Sequence, residues 1–288
     1  MYFKTEYRRA ILAVSVIVAI LLALSMIMSG QFRPAPPYYI PIDMKVNYAL
    51  LFCILIAITP TAVVEVINNR WLKQVDKNIP RLLMDITESV RSGMPMVRAL
   101  ETATTRDYGP VSSSLERALV NFNFTSDLDG SLKWFGESII RQSGKRAATI
   151  LIEAYKSGGR MLDVLDTSIK MFTNIDEYRE EKQSQMNPYI LLVYVSTIIF
   201  LFIGWVMIQQ FLGPLSKSGV TTPGIPNIFG KMLSMDYYKS IIFWAAVVEG
   251  IIGGFVAGKI TNSRLISGLY HSVLMLGMTY GFYIVFLS

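Results

Sequence analysis

Cysteine and histidine are almost absent from this sequence, which has one of each in 288 residues, Cys53 and His271. A single cysteine excludes an internal disulfide and a thiolate metal cluster. A single histidine leaves metal-assisted hydrolysis without a ligand set. A Gly-x-Ser-x-Gly nucleophile motif is also missing. We therefore expect no catalytic residue, no metal and no cofactor.

A phosphate-binding loop is incomplete. Residues 253–259 read Gly-Gly-Phe-Val-Ala-Gly-Lys, but Ile260 follows where a Ser or Thr should bind magnesium. The stretch also ends an apolar run, so no strand is expected before it. We expect no ATP hydrolysis by the chain itself.

These glycines suit helix packing better. Glycine at every fourth position of a membrane helix lets a second helix approach the backbone closely. The spacing occurs at Gly250, Gly254 and Gly258, and again at Gly277 and Gly281. We expect these positions to lie at helix contacts or to line a groove for a hydrophobic helix.

A basic surface for nucleic acid is not evident. The net charge of +6 and the pI of about 9.3 would suit nucleic acid in a soluble protein. Most charged residues, however, lie between residues 78 and 185, where acidic and basic side chains are nearly balanced. We expect no nucleic-acid partner.

Apolar residues dominate the remaining sequence. They make up 52% of the chain and the mean hydropathy is +0.42, which is typical of a polytopic membrane protein. Pro60 should kink the second apolar run, and Glu65 should mark its exit into water. Five runs are long enough to cross the bilayer. The predicted spans are residues 10–28, 48–66, 188–209, 241–257 and 265–287.

The spans divide the chain into three regions. These are an N-terminal membrane region (1–74), a cytoplasmic helical domain (75–187) and a C-terminal membrane region (188–288). Lys and Arg near the span ends concentrate on one side, which is cytoplasmic by the positive-inside rule. The rule places the N-terminus and residues 67–187 in the cytoplasm and the C-terminus outside.

The helical domain is predicted to be all-α. Apolar residues recur there at three- and four-residue spacing between glycines and prolines. A bundle of six helices is predicted, the last ending near residue 186. The predicted starts are near Pro80, Pro95, Pro110, Ser131, Gly144 and Arg160.

One motif occurs twice in this domain. Residues 92–102 and 157–167 share the pattern Ser-Gly-x-x-Met-x-x-x-Leu-x-Thr. Glycine just after a helix supplies the left-handed residue that closes it. The repetition predicts two similar helix junctions.

The exposed face of the bundle is predicted to carry mixed charge. Such a face suits a protein partner better than a small substrate, although solvated surface residues are the usual explanation. The candidate residues are Arg91, Arg98, Glu101, Arg146, Arg160, Asp163 and Asp166.

Glu249 lies in the middle of the fourth predicted span. A charge there costs at least about 2.5 kcal/mol, so the carboxylate should face protein or water. Two interpretations stay open. Glu249 contacts a translocated substrate or a partner helix, or it accepts a hydrogen bond from a neighbouring Tyr or Ser.

The order of elements resembles the F-domain family of type II secretion systems and type IV pili, including Tad-type and archaeal pilus platforms. A span follows the helical domain directly, as in that family. The matching turns are residues 91–93 (Arg-Ser-Gly), 108–110 (Tyr-Gly-Pro), 129–132 (Asp-Gly-Ser-Leu) and 156–159 (Lys-Ser-Gly-Gly).

The resemblance implies an inner-membrane (cytoplasmic membrane) platform protein without catalytic activity. Such a protein holds a cytoplasmic secretion ATPase and couples its cycle to the extraction of pilin or pseudopilin subunits for filament assembly. Larger members carry two copies of the helical block and this sequence has one. The resemblance therefore implies a dimer, either with a second copy or with a paralogue.

Two other functions stay open. One is a membrane signalling or adaptor protein with a cytoplasmic helical relay domain. The other is a small transporter that uses Glu249.

Overall fold

The computed structural model describes residues 5–28, 32, 34–35, 39–214, 235–262 and 264–287, and nearly all of them are helical. The predicted all-α class is therefore confirmed. Residues 215–234, most of the loop between the third and fourth predicted spans, lie outside the described residues. The helices are α1 (Thr5–Met28), α2 (Met44–Arg91), α3 (Met96–Thr104), α4 (Ser112–Thr125), α5 (Leu128–Ser138), α6 (Gln142–Lys156), α7 (Met161–Val206), α8 (Met235–Asn262) and α9 (Gly268–Leu287).

Shorter elements connect or extend these helices. The 3₁₀ turns are Gly109–Val111, Gly158–Arg160 and Leu265–Ser267, and a π-helix, Met207–Leu212, follows α7. Between α1 and α2, β1 (Pro34–Ala35) pairs antiparallel with β2 (Ile40–Pro41), with Pro34 opposite Pro41. This pairing lies in a proline-rich connector.

Five described stretches are helical, and each is long and apolar enough to cross a membrane. They are Glu6–Met28, Met44–Arg91, Gly158–Leu212, Met235–Asn262 and Leu265–Leu287. The prediction of about five membrane helices is confirmed in this sense, and the chain is a multi-pass membrane protein.

The chain divides into two compact units. The charged unit comprises Ile67–Ser184, and the membrane unit comprises Phe3–Val66 with Gln185–Ser288. Helix α2 begins in the membrane unit and ends in the charged unit, and α7 runs in the opposite order.

Prolines do not interrupt the two longest helices. Helix α2 continues through Pro60 and Pro80, and α7 continues through Pro188. The predicted helix start near Pro80 was therefore wrong, as was the predicted division between a sixth helix and a span at Pro188. A proline removes one backbone donor, but the neighbouring helical hydrogen bonds remain. Next to Pro80, the fully buried Ile79 and Leu82 hold the helix in the core.

Glu65 is buried in the membrane unit, contrary to the expectation that it marks an exit into water. Its side chain is only 5% exposed, and Arg8 Nη2 in α1 lies 2.6 Å from Glu65 Oε2 in α2. A buried carboxylate requires such a partner, because desolvation would otherwise penalise the charge. The pair joins α1 to α2.

Helices α8 and α9 pack closely at two glycines. A Cβ atom at Gly254 would meet the backbone and hydroxyl of Ser272, and one at Gly258 would meet the backbone of Gly268. Gly250 has ordinary contacts, with Leu276 Cδ2 3.5 Å from its Cβ position. The absence of side chains at Gly254 and Gly258 therefore permits the close approach of the two helices.

Gly277 and Gly281 do not take part in a helix contact among the described residues. Both are exposed, and a Cβ atom at either position would meet nothing within 4 Å. No close approach occurs at these two glycines among the described residues, and a groove there for a hydrophobic helix stays a prediction. Their spacing matches that of Gly254 and Gly258, but they lie on the side of α9 turned away from α8.

The charged unit has one hydrophobic core to which each of its helical segments contributes. The C-terminal half of α2 provides Val75, Ile79, Leu82, Leu83 and Ile86, all fully buried. Helices α3 to α7 add buried side chains that include Leu100, Leu115, Phe135, Leu151 and Leu165. The amphipathic spacing read from the sequence accounts for this inward face.

Helix α5 begins at Leu128 and not near Ser131, where the sequence predicted its start. Asp127 caps the helix, and its Oδ1 accepts a hydrogen bond of 3.0 Å from the backbone N–H of Gly130. An aspartate at this position satisfies an N–H that has no partner within the helix. Gly130 therefore lies in the first turn of α5 and does not separate two helices.

The two predicted Ser-Gly junctions are alike, as the repeated motif indicated. Gly93 has φ of 91° and Gly158 has φ of 52°, both in the left-handed region. Helices α3 and α7 begin at the equivalent positions Met96 and Met161. At the first junction Met94 N–H also bonds to Ser89 O at 3.2 Å, which is a Schellman closure.

Candidate partner-binding surface and intramembrane carboxylate

Arg91 and Asp166 form an ion pair across the charged unit. Arg91 ends α2, and its Nη2 donates to Asp166 Oδ1 at 2.6 Å and to Oδ2 at 2.8 Å. Asp166 lies in the second turn of α7. Both side chains are about half exposed, so the pair links two helices at the surface and contributes little free energy.

Arg98 and Glu101 pair with each other on α3. Arg98 Nη1 lies 2.8 Å from Glu101 Oε2, at the i, i+3 spacing that brings two side chains together on one helix face. Arg98 is 73% exposed. Its guanidinium can therefore exchange Glu101 for a carboxylate of a partner protein.

Three of the predicted surface residues have no ion pair among the described residues. Arg146 in α6, Arg160 in the turn before α7 and Asp163 in α7 are all exposed. The structure thus pairs Arg91 with Asp166 and Arg98 with Glu101, and leaves these three charges available to solvent or to another protein.

An ionic cluster around Asp76 was not identified from the sequence. Ser143 Oγ donates to Asp76 Oδ1 at 2.6 Å, and Arg141 Nη2 lies 2.9 Å from Oδ2. Arg179 in α7 lies 3.6 Å from the same oxygen and 3.5 Å from Asp176. The Asp76 cluster therefore joins α2, the start of α6 and α7.

A second polar network surrounds Tyr108, which is fully buried. Its hydroxyl donates to Asp85 Oδ2 at 2.6 Å, and Arg106 Nη1 lies 2.9 Å from the same oxygen. Arg81 lies over the Tyr108 ring, 5.9 Å from its centroid. Burial and then the bond to the Asp85 carboxylate raise the pKa of Tyr108 above its ordinary value. The phenol therefore stays a donor that ties the segment after α3 to α2.

Both networks serve the rigidity of the charged unit. Their groups are held by partners from other elements and lie partly or fully in its interior. Among the described residues, no three His, Cys, Asp or Glu side chains are grouped so that they could hold a metal ion. The exposed charges are thus the candidate for contact with a protein.

Only one of the two carboxylate oxygens of Glu249 accepts a hydrogen bond among the described residues of the membrane unit. Ser196 in α7 donates to Glu249 Oε1 at 3.3 Å, whereas Oε2 is buried and has no hydrogen-bond partner among the described residues. A serine contact of this kind was one of the two interpretations left open. It does not exclude the other, because half of the carboxylate remains unpartnered.

A groove of about 860 Å³ surrounds this carboxylate. It lies between α7 and α8, and its lining is almost entirely apolar apart from Glu249, Ser196 and Thr197. Gly253 contributes to the groove, whereas Gly254 and Gly258 face α9. The groove is therefore a different feature from the glycine contact between α8 and α9.

The single histidine has a packing role in the membrane unit. Tyr194 Oη in α7 lies 2.8 Å from His271 Nδ1, and Thr261 Oγ1 in α8 lies 3.4 Å from Nε2. His271 itself belongs to α9. These contacts join three membrane helices and account for the polar residue in an apolar stretch.

A comparison with known protein families gives a match to one part of this chain. Residues 82–209 match the family model for type II secretion system (T2SS), protein F. The match extends from the buried half of α2 through α3 to α7 and into the π-helix. It therefore covers most of the charged unit and the apolar part of α7.

One curated relative is the uncharacterized protein MJ1286 of Methanocaldococcus jannaschii. The two sequences are 27% identical over 234 residues, which is 80% of this chain and 37% of the relative. This chain thus spans little more than a third of that protein's length. No solved structure matches the chain.

The family match covers the helical segment with the two similar junctions and the surface charges. It also covers the apolar stretch that follows this segment. Residues 82–209 of this multi-pass membrane protein belong to the type II secretion system protein F family.

Proposed function

We propose that this chain is an inner-membrane platform protein of a type IV pilus-like or type II secretion-like machine. It holds a cytoplasmic secretion ATPase and couples the conformational cycle of that ATPase to pilin extraction and filament assembly. The observation that carries the proposal is the protein F match over residues 82–209. The chain has no catalytic role in this proposal.

The packing of the charged unit is compatible with binding to the proposed ATPase. A common core, the Asp76 cluster and the Tyr108 network connect its helices, so a force applied to one helix reaches the others. Helix α7 is continuous from Met161 to Val206, without a loop between its charged and apolar parts. Movement of the charged part would therefore act on the apolar part directly.

The proposed topology follows from the basic residues near the span ends. The N-terminus and residues 67–187 lie in the cytoplasm, and the C-terminus lies outside. The ATPase-binding face comprises the exposed charges around α3, α6 and the start of α7. In the proposed platform, this chain pairs with a second copy or with a paralogue.

The test is a binding measurement with a double charge reversal. The full chain is purified in nanodiscs and mixed with a secretion ATPase from the same organism. The double variant Arg98→Glu with Arg160→Glu should weaken ATPase binding by about tenfold. Each new carboxylate would repel the acidic side chain of the ATPase that the original arginine attracts. The amount of chain inserted in membranes should stay the same.

The control reverses two exposed basic residues outside this set, Arg117→Glu with Lys133→Glu. This variant has the same change in net charge and should bind the ATPase as the wild type does. Equal binding by wild type and the Arg98/Arg160 variant would count against the proposed face. Absence of any binding by the wild type would count against the proposed function.

A further inference from the structure

Glu249 is a membrane-embedded carboxylate whose hydrogen bonding is incomplete. It lies in the middle of α8, accepts one bond of 3.3 Å from Ser196, and has a buried Oε2 without a partner among the described residues. Hydrocarbon offers no donor, and an unpaired acceptor at this depth is costly. The free oxygen therefore requires a donor from outside the described structure.

The groove around Glu249 is long and apolar. Its lining extends on α8 from Ile241 to Val256, about 22 Å at 1.5 Å per residue. Leu192, Val248 and Ile252 in the lining are more than half exposed. An elongated apolar groove of this length matches the side of a membrane helix better than a compact small molecule.

The membrane spans of this chain offer no permanent cation to this site. Its five predicted spans contain no lysine and no arginine. A second copy packed at the same depth in the bilayer would therefore present neither lysine nor arginine to Glu249. Lipid amines are located at the membrane surface and not at the middle of a span. Charge complementarity therefore points to a helix of a different protein.

We propose that the groove between α7 and α8 binds a membrane-spanning helix of another protein, which carries one ammonium or guanidinium group at the depth of Glu249. The cation bonds to Glu249 Oε2, and the apolar side chains on both sides of it pack along the groove. This inference rests on the proposed function for the role of the bound helix, which is that of the extracted subunit.

The experiment uses designed peptides and the full chain in lipid vesicles. The probes are Leu-Ala helices of about 20 residues with a central Lys, Leu or Glu and a dansyl group. Energy transfer from the tryptophans, of which Trp244 lines the groove, reports binding. The Lys peptide should bind about threefold to twentyfold more strongly than the Leu peptide, the range of polar helix contacts in membranes.

Two substitutions at Glu249 test the charge. Glu249→Gln should reduce binding of the Lys peptide to the level of the Leu peptide. Glu249→Lys should reverse the preference, so that the Glu peptide binds best. The matched control is Val285→Gln, which places an amide on an exposed, lipid-facing position of α9 outside the groove. It should leave the preference for the Lys peptide intact.

A further variant keeps the test valid if Glu249 substitutions lower the yield of folded chain. Ile252→Trp fills the groove without removing the carboxylate and should weaken binding of the Lys and Leu peptides alike. Equal binding of these two peptides to the wild type would overturn the inference. A preference that survives Glu249→Gln would do the same, as would self-association of the chain that depends on Glu249.

If the wild-type chain does not bind the ATPase, the proposed role of the bound helix is removed. It would not alter the ratio of Lys to Leu peptide binding, so the two outcomes are distinguishable.

Discussion

Asp76 and Asp166 both pair with arginine, but their surroundings differ. The Asp76 side chain is 14% exposed and has contacts with Ser143, Arg141 and Arg179. The Asp166 side chain is 44% exposed and, in the described part of the chain, forms an ion pair with Arg91 alone. A buried charge that loses its partner leaves the other charge desolvated, whereas an exposed one returns to water. The two aspartates therefore contribute unequally to stability.

Asp76→Asn should destabilise the charged unit by about 2 kcal/mol, because Arg141 loses its carboxylate in a half-buried position. Asp166→Asn should cost less than about 1 kcal/mol, as expected for a surface pair. Thermal unfolding of the full chain in detergent, followed by circular dichroism, measures both. Equal midpoint shifts for the two variants would show that the Asp76 cluster does not hold the helices together.

At this scale the sequence indicated which residues are charged and exposed but not which of them meet. Arg91 and Asp166 are both in the set predicted for the surface, yet they are 75 residues apart and their pairing follows from the tertiary fold. Asp76 and Ser143 are 67 residues apart. No local pattern marks such contacts, so the Asp76 cluster could not be predicted.

Helices α8 and α9 show how glycine spacing acts at the level of an element. Gly254 and Gly258 meet the backbone of the segment from Ser267 to Ser272, whereas Gly277 and Gly281 face open space among the described residues. Identical spacing thus has different consequences on two helices. What decides is the side of the helix on which each glycine lies.

Gly254→Ala should destabilise the membrane unit by about 1–3 kcal/mol, since its methyl group would meet backbone atoms of Ser272 that cannot rotate away. Gly277→Ala is the matched control and should be neutral or slightly stabilising, because alanine favours a helix over glycine. The thermal midpoint and the fraction of monodisperse chain in detergent measure the difference. A comparable loss in both variants would refute the close packing at Gly254.

The lengths of the elements were predicted less well than their existence. Apolar spacing identified the amphipathic helices, and the repeated Ser-Gly motif located two junctions that the structure confirms. The predicted breaks at Pro80 and Pro188 were wrong because core packing and the surrounding helical bonds outweigh the loss of one donor. The cap at Asp127 likewise moved the start of α5.

For the whole molecule, composition was sufficient to predict a helical membrane protein with about five spans. The order of helices and turns indicated the protein F family, and the family match over residues 82–209 confirms it. The groove at Glu249 could not be predicted, because it depends on the packing of α7 against α8. The sequence indicated only that a mid-span carboxylate needs a partner.

Every step of the proposed coupling requires the charged unit to face the cytoplasm, where nucleotide and the ATPase are present. Single cysteines in a Cys53→Ser background can determine this with a membrane-impermeant maleimide in intact cells. Ser113→Cys reports on the charged unit, and Asp43→Cys reports on the connector before α2; both positions are exposed. The two sites lie on opposite sides of the membrane in the proposed topology.

The proposal predicts that Asp43→Cys reacts in intact cells and that Ser113→Cys reacts only after the membrane is permeabilised. Reaction of Ser113→Cys in intact cells would place the charged unit outside. A cytoplasmic ATPase could not then reach it, and the proposed function would be contradicted.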